Sequence, residues 1–239
     1  TKQATLEQET EFFSLIEQRA KKRPLQYILG EWPFLDFHLK MGEGVLIARE
    51  DTTVLVETAA KLIQTKQATI LDLCAGTGAV GLGIASLLST AHVTCVEKYA
   101  PAFAYLQQNI ALCKEQGIEN VVALQGDILS EAFASAFQDI DTIVSNPPYI
   151  ETAVLPTLQE EVQKEPTTAL DGGEDGLLFY RAIADIWIPK IKTGGIVAVE
   201  IGEGQETAVA RLFADAGVEQ IQFEKDSGNI IRVVAGIKK

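Results

Sequence analysis

The chain has 239 residues, room for one large domain or a domain with an appendage, and 47% of them are hydrophobic, ample for a real core. A formal charge of −13 speaks against a protein that grips phosphates, which shows a basic patch or stripe, and no apolar run approaches a membrane span. Cys74, Cys95 and Cys113 are an odd set without a CxxC spacing, and His38 and His92 stand apart, so a disulfide framework and a zinc site are disfavoured and a reducing, cytoplasmic setting is expected.

The opening residues are charged and helical in pattern, not an apolar signal segment. The chain starts at Thr1 without a methionine, which reads as a processed or trimmed piece. Residues 6 to 22 place Leu6, Phe12, Phe13, Leu15 and Ile16 at helical spacing among Glu and Gln. Arg19, Lys21, Lys22 and Arg23 crowd the end of that helix, where its dipole favours cations, and Pro24 stops it. From 26 to 47, Phe34, Phe37 and Leu39, then Val45 and Ile47, alternate as short strands punctuated by Gly30 and Gly42, which predicts a β-hairpin. Asp51 and Thr52 are placed to cap a helix running through Leu55 and Leu62 to about Thr65.

From Ala68 the pattern becomes strand–helix alternation. Strands are predicted at 69–73, 93–97, 121–125, 140–145 and 196–201, with helices at 79–88, 101–114, 131–137, 177–189 and 206–216. A loop with little periodicity fills 149–173, and two closing strands, 218–223 and 230–235, read as a hairpin. Alternation of this kind means an α/β fold with a mostly parallel sheet and helices on both faces.

The first strand-to-helix turn reads Asp72-Leu73-Cys74-Ala75-Gly76-Thr77-Gly78, with Gly81 completing a GxGxxG spacing. Glu97 ends the next strand, where a ribose-binding acid belongs. Together they point to a nucleoside site. Asp72 lies just before the glycines and would repel a pyrophosphate. It suits instead the ammonium end of S-adenosylmethionine, which carries no phosphate. Asp127, beside Ile128, is placed either to hydrogen-bond an adenine amine or to cap a helix before Leu129.

The strand at 140–145 runs into Asn146-Pro147-Pro148-Tyr149. The prolines fix φ and extend the residues before them. Asn146 offers an amide oxygen, Pro147 a carbonyl, and Tyr149 a flat ring. Two acceptors over an aromatic plate suit a planar group bearing an NH2, such as a carboxamide or the exocyclic amine of a base.

These residues resemble class I S-adenosylmethionine-dependent methyltransferases and, more narrowly, the HemK/PrmC family. The resemblance spans nearly the whole chain, through 23–30, 146–150, Glu165-Pro166 and 169–177. It implies a Rossmann-like, mostly parallel seven-stranded sheet, S-adenosylmethionine as cofactor, and methyl transfer to the glutamine of the Gly-Gly-Gln loop in class I peptide chain release factors, with neither nucleic acid nor membrane as partner. It further implies a remnant of an N-terminal docking domain at 1–24, a hairpin linker at 25–49 and the methyltransferase domain at 50–239. The family usually has prolines on both sides of the arginine where this chain has Ala48-Arg49-Glu50, which predicts a less rigid wall of the pocket. A nucleic-acid exocyclic-amine methyltransferase and a non-catalytic nucleotide-binding module are the rival readings.

Overall fold

The computed structural model describes residues 4–65 and 67–239; residues 1–3 of the expected docking remnant lie outside the described residues. Helix α1 (Leu6–Ala20) opens on a capping box, in which Thr5 Oγ1 accepts from Gln8 N at 3.2 Å and Gln8 Oε1 from Thr5 N at 3.0 Å. It ends two residues short of the expected boundary. Its cationic end is partly neutralised, Arg19 by Glu161 at 2.9 Å and Arg23 by Glu43 at 3.5 Å.

The expected 26–47 hairpin is shorter than its apolar pattern. Leu25–Leu29 forms a helical turn (α2), stopped by Gly30 in the left-handed region at φ 77°. Only β1 (Glu31–Phe34) and β2 (Phe37–Lys40) pair. Val45 and Ile47 are buried but unpaired. Helix α3 (Thr52–Leu62) follows, and Asp51 does not cap it: the residue is itself helical (φ −58°, ψ −27°) and its side chain faces Arg232 at 3.9 Å.

The remainder is a seven-stranded sheet built from β3 (Thr69–Leu73), β4 (His92–Glu97), β5 (Val121–Gln125), β6 (Ile140–Ser145), β7 (Ile191–Glu200), β8 (Val218–Lys225) and β9 (Ile231–Lys238). Its order is β5-β4-β3-β6-β7-β9-β8, with β9 antiparallel to both neighbours and the other pairs parallel. Between the strands lie α4 (Ala79–Leu87), α5 (Ala100–Lys114), α6 (Glu131–Ala134), α7 (Leu178–Ala182) and α8 (Glu206–Asp215). Successive strand residues alternate faces. Ile70, Ala198 and Val233 therefore pack under α3–α5, while Leu71, Val199 and Val234 pack with Trp187 and Phe213 on the other side.

Two details aim the site. The helix expected at 177–189 is α-helical only over α7, then a π-helical turn, Ile183–Trp187, and a 3₁₀ turn. The π turn buries Trp187, whose Nε1 donates to the Ile128 carbonyl at 2.8 Å. Asn109 on α5 is fully buried and bonds Lys40 N and O at 2.7 and 3.0 Å and Thr77 O at 2.9 Å, lashing β2 to the glycine turn.

Candidate active site

The chain reverses direction across the sheet at β3: β4 and β5 lie on one side of it, β6 and β7 on the other. Crevices at such a switch point, beyond the carboxyl ends of the strands, are where doubly wound sheets bind ligands. Register does the rest. Leu73 is level with Ser145, and Ser145 with Val199, so the glycine turn, Asn146 and Glu200 emerge side by side.

The cleft there has free space, open mouth included, of about 960 Å³. The turn enters it with Cys74, Gly76 and Gly78 in the left-handed region (φ 63°, 56° and 86°). A Cβ on Gly76 would meet only Val45 at 4.0 Å, so that backbone stays open to a ligand; one on Gly78 would strike Leu106 at 2.7 Å. Glu97 is 6% exposed, and its carboxylate accepts from Gly76 N at 3.0 Å and Tyr99 N at 2.7 Å. Burial pushes its pKa up, and those two bonds hold it back.

Of the expected cofactor residues, Cys74, Ala75, Gly76, Thr77, Glu97, Asp127, Ile128 and Asn146 line this cleft. Asp72 does not. It is fully buried beneath the turn, its Oδ2 taken by Gly81 N at 2.8 Å and its Oδ1 without a partner. Through that bond its carboxylate fastens the first turn of α4. Burial raises the Asp72 carboxyl to about 7. Gly78 likewise shapes the turn from below. Asp127 accepts from Leu129 N at 3.0 Å and pairs with Lys98 at 2.8 Å; the helix cap itself is Ser130.

A second cavity opens on the other side of Asn146, lined by Pro147, Tyr149, Leu158, Leu170 and Glu200 among others. Asn146 and Arg49 border both spaces. Asn146 Nδ2 donates to Thr52 Oγ1 at 3.2 Å, which commits the amide's donor end to the protein and leaves Oδ1 for a ligand. Tyr149 is held through its backbone, whose carbonyl accepts from Gln205 Nε2 at 3.0 Å. Its hydroxyl is pushed up to about 12, chiefly by burial.

The wall lacking prolines is braced another way. Glu165, 4% exposed, accepts from Ile47 N at 2.9 Å and pairs with Arg49, while the Tyr27 hydroxyl bonds the Val45 carbonyl. Sequence reasoning missed Arg49, Thr52, Glu165 and Glu200 as site residues. Glu200 carried a signal of its own, an acid inside the apolar run Val199-Glu200-Ile201 at a strand end, and Arg49 and Glu165 lay in stretches compared with the family without a role of their own.

Sheet order, glycine turn and the Asn146–Tyr149 turn define a class I methyltransferase. Solved structures agree at the level of fold: a methyltransferase from Pyrococcus furiosus (TM-score 0.61, 15% identical, 98% of this chain and 99% of that one) and TYW2 from M. jannaschii in complex with AdoMet (0.54, 14%, 87% and 84%). A family model described as Conserved hypothetical protein 95 matches residues 51–179, and one described as PrmC N-terminal domain matches residues 1–30. The release factor glutamine methyltransferase of Thermodesulfovibrio yellowstonii is 39% identical over 96% of this chain and 82% of its own length. The chain belongs to the release factor glutamine methyltransferase family.

Proposed function

We propose that the chain transfers a methyl group from S-adenosylmethionine to the side-chain amide nitrogen (N5) of the glutamine in the Gly-Gly-Gln loop of class I peptide chain release factors. The observation that carries this reading is the pair of spaces meeting at Asn146, one suited to a nucleoside and the other walled by Pro147 and Tyr149. Glu97 would hold the ribose hydroxyls, Ile128 and Asp127 the adenine, and the open backbone at Gly76 the stretch between. When bound, the cofactor supplies an electrophilic sulfonium methyl.

A carboxamide nitrogen is a poor nucleophile because its lone pair is delocalised into the carbonyl. Asn146 Oδ1 and the Pro147 carbonyl accept its two N–H groups and aim it, Tyr149 covers its flat face, and Pro148 keeps the turn stiff; as the methyl leaves the sulfur, which becomes a neutral thioether, the methylated nitrogen sheds one proton to solvent. Placement then carries much of the rate, since well-oriented reactants gain about 7–11 kcal/mol. Glycines in the substrate loop let it enter a cavity this narrow. A chain of charge −13 has no electrostatic case for duplex DNA, whose binding rests on phosphate neutralisation. A translation factor as substrate puts the reaction in the cytoplasm.

The test is one assay with labelled cofactor, in which release factor, a release factor with Gln→Ala in its Gly-Gly-Gln loop, and DNA are offered side by side. Label in the first alone is expected; label in DNA and none in the release factor would end the proposal. Tyr149→Phe should leave kcat/KM within about twofold, because no hydrogen bond is lost that apolar contact does not replace. Tyr149→Ala should cost roughly tenfold, the upper range for an aromatic stack at about 0.5–1.5 kcal/mol. Equal rates in the two variants would remove the ring from the mechanism.

Residues 1–24 are read as part of the substrate-docking region. Helix α1 buries none of its residues, and Leu6, Phe12, Phe13 and Ile16 are all exposed. Phe12→Ser with Phe13→Ser should raise KM for the release factor by roughly tenfold, about 1.4 kcal/mol, with kcat unchanged. An unchanged KM would free this helix of any docking role.

A further inference from the structure

We propose that Glu200 is a positioning residue of the transfer step: with Thr52 it holds the Asn146 side-chain amide with Nδ2 turned inward, so that Oδ1 is the end presented to the substrate. This rests on the reading of Asn146 as an acceptor for the glutamine amide.

Three observations carry it. The first is adjacency. Ser145 and Val199 are in register on parallel strands, so Asn146 and Glu200 follow as neighbours, and Glu200 lines the same cavity as Asn146, Pro147 and Tyr149. The second is rigidity. The Tyr180 hydroxyl donates to the Glu200 carbonyl at 2.8 Å, and Ile201 N to the Arg232 carbonyl at 2.8 Å, so the backbone bearing the carboxylate is fixed. The third is the carboxylate itself. Glu200 is 3% exposed, and its Oε2 has no hydrogen-bond partner among the described residues. Nor is it the strut of an ion pair among the described residues: Arg232, whose charge acts on it, is bonded to Asp226 at 2.8 Å and also faces Asp51.

Burying a charge without its own counter-ion costs several kcal/mol, so a residue with only a packing role would better be apolar. What a carboxylate offers instead is one-sidedness. It can only accept hydrogen bonds, whereas a side-chain amide has both a donor and an acceptor end. Beside Glu200, the Asn146 carbonyl oxygen would meet like partial charge, and only the NH2 is tolerated. Thr52 adds the second lock, taking Nδ2 on its Oγ1 at 3.2 Å. The arrangement leaves Asn146 a single orientation, the one that accepts from a substrate N–H.

The device depends on pH. Burial pushes the Glu200 carboxyl up to about 7, with hydrogen bonds from Thr52 and Asn146 and the Arg232 charge pulling back, and Asp51 pushing further. Tyr149 and Arg49 complete the titratable and charged groups around this corner, and Tyr180 closes it from α7. A raised carboxyl is ionised above that range and protonated below it. Once protonated it is itself a donor, the Asn146 oxygen can turn toward it, and the acceptor at the substrate is lost. Turnover should therefore rise with pH through this range.

The experiment compares the unaltered chain with Glu200→Gln, measuring kcat, KM for the release factor, cofactor affinity and the pH profile. Glu200 does not line the cofactor cleft, so cofactor affinity should be unchanged. By analogy with residues that orient metal ligands, kcat should fall roughly 10–100-fold, and the acid limb should flatten. Asn146→Asp with Glu200→Gln should be more active than Asn146→Asp alone, because the double variant separates two carboxylates. A Glu200→Gln chain with unaltered kcat and an unaltered acid limb overturns the assignment. Should that variant lose cofactor binding, nitrogen–proton spectra of the unaltered chain decide: the Asn146 NH2 signals must shift with the Glu200 titration, and pH-independent signals overturn the proposal. An inactive Asn146→Ala beside a neutral Glu200→Gln sinks only the role of Glu200, whereas a fully active Asn146→Ala sinks the substrate reading beneath it.

Discussion

Glu97→Ala should lower affinity for S-adenosylmethionine by about 3–6 kcal/mol, two charged hydrogen bonds to ribose hydroxyls at about 1.5–3 each. That is a factor of roughly a hundred to ten thousand in Kd, at about 1.4 kcal/mol per decade. The size follows from two roles in one side chain. In the proposed reading its carboxylate accepts from the ribose. The carboxylate also accepts from Gly76 N and Tyr99 N, so truncation strips acceptors from a turn held in the left-handed region. Glu97→Gln keeps one acceptor oxygen and gives up the charge, and should lie between the parent and the alanine variant. Calorimetry with S-adenosylmethionine measures both. An alanine variant that binds as the parent does would show that the cofactor sits elsewhere in the cleft.

Much of this was legible in the chain, and the reason is local. The inner strands at 69–73, 92–97 and 140–145 read as apolar runs because they are mostly covered on both faces, and the Asn146–Tyr149 turn is legible because its four residues are contiguous. Val45 and Ile47 misled because burial and pairing leave the same apolar trace. They are buried along the cleft, Val45 in a bend and Ile47 in irregular backbone, and neither belongs to a strand. Asp72 shows a related limit. Sequence places it at the strand end but not on the side of the turn, and the N–H of Gly81 claims it from below.

What could not be read is what pairs across the fold. The missing prolines at 48 and 50 looked like lost stiffness, yet Glu165 supplies it by binding Ile47 N and Arg49 from far along the chain. Thr52 looked like a cap and serves as the partner of Asn146. In each case the residue type was visible and its counterpart was not.

Asn146→Ala should cut turnover by about 2–4 kcal/mol while leaving cofactor affinity nearly intact, by analogy with removal of one oxyanion-hole donor. The cofactor keeps Glu97 and the glycine turn, so the loss belongs to the aimed amide and not to the nucleoside. Asn146→Asp is the more telling change. On shape alone it retains an acceptor and would be expected to keep partial activity. The structure argues otherwise, because the end of Asn146 that faces Thr52 is the NH2. An aspartate there loses that donor, sets a second carboxylate against buried Glu200, and must shed charge or turn away. At neutral pH it should be at least as inactive as alanine, and it should recover in part as acid protonates one member of the pair, opposite in sign to the parent's acid limb. Single-turnover rates across pH 6 to 8, measured at saturating cofactor, separate these outcomes. Near-parental rates in Asn146→Ala and Asn146→Asp alike would mean that this turn only shapes the cavity and that the substrate amide is aimed by something else.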